Sequence, residues 1–140
     1  MRQDNEEEVC MVGSSDYIDP SNADQKAILY RALSNAYKEI GLTSSDVNSV
    51  IGLDLHNMND IIDPESKSGV LALYLIRSYR SLYTLVDGDK EEMKLWMRGY
   101  NTGTGGIPAE QIKDIVGLVR VMEYLEGMAN QTRHFDTYQM

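Results

Sequence analysis

An all-α fold follows from three observations on this chain. Apolar residues recur at helical spacing through every segment between residues 21 and 128. No stretch carries the alternating pattern of a strand, and capping residues and glycines fall at helix-length intervals. Together they predict about seven helices. A helix-turn-helix-like part over residues 21–63 is expected to pack on a second helical part over 64–130. An acidic flexible arm at 1–20 and a short C-terminal tail at 131–140 flank them.

The elements can be justified in order. Residues 1–20 lack periodicity and are rich in Asp and Glu, the composition of a solvated arm. Ser21 is a candidate cap, and Ile28, Leu29, Ala32, Leu33, Ala36, Tyr37 and Ile40 mark one helix face up to Gly41. Thr43 or Ser44 can cap a short second helix burying Val47, Val50 and Ile51 and closing at Gly52. Asp54 is then placed to cap a third, presenting Leu55, Met58, Ile61 and Ile62. Two short helices joined through a glycine turn have the outline of a helix-turn-helix.

Asp63-Pro64-Glu65 predicts the start of a long helix, since Pro costs nothing at a first helical position. Its apolar residues (Leu71, Tyr74, Leu75, Ile76, Tyr79, Leu82) cover so much of its circumference that it should be central. After Gly88, Asp89 and Glu92 form a capping pattern ahead of Met93, Trp96, Met97 and Tyr100. Gly103, Gly105 and Gly106 then permit a tight reversal, and Pro108 opens a final helix pair. Leu118, Val121, Leu125 and Met128 mark one face there; Ile112, Ile115, Val119 and Met122 mark a second. Trp96, Pro108, Leu118, Val121 and Leu125 are expected to be structural.

Charge and chemistry narrow the function. The net charge is −9 over 140 residues, yet residues 1–22 carry six acids and one Arg, while 64–140 are nearly balanced. Cys10, the single cysteine, excludes an internal disulfide framework, and no leader or apolar span suggests export, so a cytoplasmic protein is expected. His56 and His134 stand outside any metal-ligand spacing, and Asp87–Glu92 lacks the ligand positions of a calcium loop. The glycine cluster lacks the Lys and Ser/Thr of a phosphate loop. No nucleophile–base pair or carboxylate pair argues for catalysis. No cofactor, no metal and no enzymatic activity are expected.

DNA affinity rests on cations that neutralise phosphates. Residues 43–63 contain no Lys or Arg but do contain Asp46, Asp54, Asp60 and Asp63. His56, Asn57 and Asn59 are the polar residues of the would-be recognition helix, and Asn can read adenine. Any operator binding through them should be weak for the protein alone.

Residues 96–128 also resemble a known family. Trp96, Asn101, Gly105, Gly106, Pro108, Ile112, Gly117, Leu118, Val121, Tyr124 and Leu125 stand in the order and spacing of the C-terminal toxin-binding domain of Xre/MbcA/ParS antitoxins. The resemblance implies a helix-turn-helix antitoxin, dimeric and able to repress its own operon. Its C-terminal domain would sterically inhibit a RES-type toxin, an enzyme that consumes NAD⁺. On that reading the partner-binding residues are Tyr100, Asn101, Gly105, Gly106 and Ile107 in the glycine loop, with Arg133, His134, Phe135 and Tyr138 beyond the last stripe. Two other readings stand beside it: a transcription regulator whose main ligand is DNA, and an adaptor or inhibitor of an unrelated protein.

Overall fold

A computed structural model describes residues 18–57 and 59–139, with side chains from residue 24 to residue 131 except residue 58. The acidic arm up to Tyr17 lies outside the described residues. Among those described, the fold is six α-helices and one 3-10 turn, with a lone bridge between Asn101 and Gly106 in place of any sheet.

Helix α1 (Ile18–Glu39) begins before Ser21, which therefore lies inside it and does not cap it. The helix buries Leu29, Leu33 and Ala36 of the expected stripe; Ile40 is buried just past its end, and Ile28 is exposed. Gly41, with φ +79°, closes it; the Leu42 amide reaches back to the Tyr37 carbonyl at 2.9 Å and the Gly41 amide to Lys38 at 3.2 Å. That pair of bonds satisfies carbonyls a helix end would leave open. Helix α2 (Ser44–Ile51) is opened by a reciprocal box: the Asp46 amide donates to the Thr43 hydroxyl, and the Thr43 amide to the Asp46 carboxylate.

The next segment departs from expectation. Instead of a third helix presenting Leu55, Met58, Ile61 and Ile62, the chain makes one 3-10 turn, Leu55–Asn57. Asp54 caps it, accepting from the His56 amide, but Asn59 and Asp60 then take positive φ and no helix can continue. Ile62 supplies the reason. It is buried, and its amide donates to the Lys26 carbonyl of α1 at 3.1 Å, which draws the chain out of a helical path. Met58 lies outside the described residues.

The expected start at Asp63-Pro64-Glu65 is also corrected. Those residues form a turn in which the Glu65 amide donates to the Asp63 side chain, and the helix begins one turn later with Ser66 as cap. Gly69 lies so close to the Asp63 carbonyl that any Cβ would collide with it. Helix α3 (Lys67–Leu85) is central, packing against α1, α2, α6 and the following helix. Asp89 caps that helix, α4 (Lys90–Arg98), by accepting from the Glu91 and Glu92 amides. Pro108 opens a single turn, α5 (Pro108–Gln111). Helix α6 (Ile115–Gln139) runs alongside α3, and a bidentate pair from Arg77 to Glu126, at 2.7 and 2.8 Å, joins them. One core runs through all of these elements, from Leu29 to Leu125.

Candidate functional site

Between α4 and α5 the chain closes into a short hairpin. The Asn101 amide donates to the Gly106 carbonyl at 2.8 Å, and the Gly105 and Gly106 amides return to the Asn101 carbonyl. The Asn101 side chain takes the Thr104 amide at 3.0 Å, so this one residue holds the reversal at three points. Gly105 sits at φ +80°, where an L side chain is strained. Thr104 is buried, and its carbonyl accepts from the Gln111 side chain at 2.7 Å. The loop is therefore a hydrogen-bonded unit anchored to α5.

Its other anchor is aromatic. Tyr124 of α6 lies directly over Gly103, where a Cβ would strike the ring, and stacks on Trp96 of α4 with centroids 6.4 Å apart. Tyr124 is also a wall of an open groove along the outer face of α6, lined by Ile115, Val116, Val119, Arg120 and Glu123. Loop and groove thus share one side chain. Several apolar side chains are exposed around them: Tyr100 is 70% exposed, Val116 60% and Ile115 52%, and Ile107 also faces outward. Exposed apolar side chains thus lie both at the ends of the rigid turn and along the groove.

Both ends of the loop are pinned to the N-terminal part. Arg98, the last residue of α4, donates to the Gly41 carbonyl at 3.1 Å and reaches Asp46 at 3.5 Å. Lys113, just past α5, reaches the other oxygen of the same carboxylate at 3.4 Å. The Thr43 backbone amide, helped by its hydroxyl and by the Lys113 ammonium, holds the Asp46 carboxyl below the usual carboxylate value against the opposing effect of burial.

With this geometry in view, comparison with known families bears on one span. Residues 81–130 match the antitoxin Xre/MbcA/ParS C-terminal toxin-binding domain. The matched span reaches from the end of α3 through most of α6 and contains both loop and groove. No curated protein matches the chain.

Within and beyond the matched span, the residues expected to touch a partner divide. Tyr100 and Ile107 are exposed, whereas Asn101 and Gly106 are half-buried and spend their backbone bonds on the loop itself. The side chains of Arg133, His134, Phe135 and Tyr138 lie outside the described residues; the backbone there continues α6. Leu118, Val121, Leu125 and Pro108 are buried, while Trp96 is only half-buried against Tyr124. The second face expected on the last helix splits too: Ile112 and Met122 are buried, but Ile115 is exposed and Val119 half-exposed.

Sequence reasoning missed Val116 and the groove around it. A signal existed: Val116 falls on the same helical face as Arg120 and Glu123, where a solvated helix would carry a polar residue. The possible DNA readers fare differently. His56, Asn57 and Asn59 are exposed but sit on a 3-10 turn and its irregular exit, with the Asn57 amide group given to Asp54 at 3.2 Å. Among the described residues, no cluster of His, Cys, Asp and Glu suits a metal ion, and no helix is long and apolar enough to cross a membrane.

Proposed function

We propose that this chain is an antitoxin-like inhibitor that binds a protein toxin through the surface formed by the glycine loop and the outer face of α6. The observation that carries this reading is the coincidence of two independent facts. The span that matches a toxin-binding domain is the span that exposes Tyr100, Ile107, Ile115 and Val116 around a rigid turn. Apolar and aromatic residues held on a fixed backbone make good anchors, because little conformational freedom is lost when they are covered. The toxin class that the sequence resemblance implies is the NAD⁺-consuming RES type. Inhibition would be steric: the antitoxin covers the toxin's cleft and performs no chemistry of its own.

Operator binding finds less support. The segment expected to supply a recognition helix is one turn long, and four Asp side chains stand in residues 43–63 with no Lys or Arg. Autoregulation, if it operates, would draw its cations from Lys26, Arg31 and Lys38 or from the bound toxin.

Co-expression with the product of the adjacent reading frame tests the proposal. The expected result is a co-purifying complex that relieves growth arrest. Tyr100→Ala and Val116→Arg should each weaken it by about tenfold or more, the effect of losing an interface anchor of roughly 1–2 kcal/mol. Complexes of unchanged affinity in both variants would place the contact elsewhere.

A further inference from the structure

The hairpin bonds fix the shape of the glycine loop, but its pose on the body of the protein depends on what holds α4 and α5. Arg98 immediately precedes the loop and Lys113 follows the single turn of α5 behind it. Both cations converge on Asp46, a residue of α2 in a different part of the chain, with Arg98 on one carboxylate oxygen and Lys113 on the other. Asp46 is itself immobilised. Its side chain is only 17% exposed, and it accepts from the Thr43 amide at 3.0 Å within the capping box. A second ion pair between the N-terminal part and α4, Lys90 with Glu39 at 3.2 Å, meets the opposite end of α4, away from the loop.

We propose that Asp46 is a positioning residue for the glycine loop, a fixed carboxylate through which the N-terminal part of the chain sets the pose of the toxin-binding surface. The two halves are then mechanically joined at the place where the contact surface begins and ends. Any ligand or second copy that displaced α2 would loosen the loop, and a partner that seized the loop would stiffen α2. What the loop touches rests on the toxin-binding reading; how the loop is held does not, so the test is made without a partner.

Amide hydrogen exchange on the full-length protein reads how firmly the end of α4 and the turn of α5 are held. Asp46→Asn should accelerate exchange at Gly99, Gln111 and Ile112, whose amides close those two elements, by roughly three- to tenfold, the scale of two part-exposed ion pairs. Leu75, Leu82 and Val121 in the core should keep their wild-type rates. Lys113→Gln leaves the Thr43–Asp46 capping box intact and should act in the same direction by a smaller factor. Glu39→Gln, which breaks the distant pair, should leave these three amides unchanged. Rates at Gly99, Gln111 and Ile112 equal to wild type in both Asp46→Asn and Lys113→Gln would overturn the proposal. So would a rise at these amides matched by the core, since that would show only a general loss of stability.

Discussion

One absent methyl group decides much of the local geometry at Gly103. A Cβ there would occupy the space of the Tyr124 ring, which in turn lies against Trp96. Gly103→Ala is therefore expected to push Tyr124 outward and cost about 1–3 kcal/mol, as overpacking generally does. Gly105→Ala meets no neighbouring atom but must hold φ near +80°, a purely backbone penalty of about 1 kcal/mol. Urea denaturation of the two variants separates these causes. Comparable losses would show that the ring contact adds nothing beyond glycine's conformational freedom. From sequence, the glycines predict a reversal correctly, because positive φ is a local property. That Gly103 serves a ring on α6, over twenty residues later, is a tertiary fact with no local signature.

At the scale of the element, some caps were legible and others were not, since α1 starts before Ser21 and Ser66 opens α3 in place of Asp63. Thr43, Asp89 and Pro108 open helices where the residue types predict. The short segment after Gly52 was misjudged because its fate is settled at a distance. The Asn48 side chain accepts the Leu55 amide at 2.9 Å, and Ile62 is bonded to α1. Neither interaction leaves a trace in periodicity. The α2 cap also makes a pH prediction. The Asp46 carboxyl is held below its ordinary value by the Thr43 amide first and Lys113 later, with Arg98 also facing it and Glu110 bound to the same lysine. A depressed carboxyl contributes stability that is complete above its unfolded value of about 4 and is lost as pH falls through the lower folded value. Acid titration should thus destabilise wild type more steeply below about pH 4 than Asp46→Asn, which has no such proton to take up. Parallel acid limbs would exclude this linkage.

Across the whole molecule, the boundary near residue 63 separates sequence patterns but not cores. Ser68 of α3 donates to the Ile51 carbonyl of α2 at 2.7 Å in the interior, and α3 packs on α1 and α6 at once. Leu33 and Ile40 from the first part share a buried cluster with Leu75, Leu82 and Leu118 from the second. The chain should accordingly unfold in a single transition seen alike by circular dichroism and calorimetry, as one cooperative core requires. A fragment of residues 64–140, stripped of α1 and α2, is expected to lack cooperative unfolding altogether. A sharp melt from that fragment would show that the second part has a self-sufficient core. The composition break was readable in the sequence, whereas the continuity of the core depends on α3 being apolar on several sides, which shows only that it has many neighbours and not which.

The stacked pair at the base of the loop has an optical consequence. Trp96 is the sole indole in the chain, it is half-buried, and the ring beside it is the one that covers Gly103 and walls the α6 groove. Its emission is consequently a native, label-free gauge of that surface, sensitive to water entering or leaving the stack. An affinity for any candidate toxin that absorbs weakly at the indole band can be followed by titrating the unmodified protein, with Tyr124→Leu as the strain in which the gauge is uncoupled.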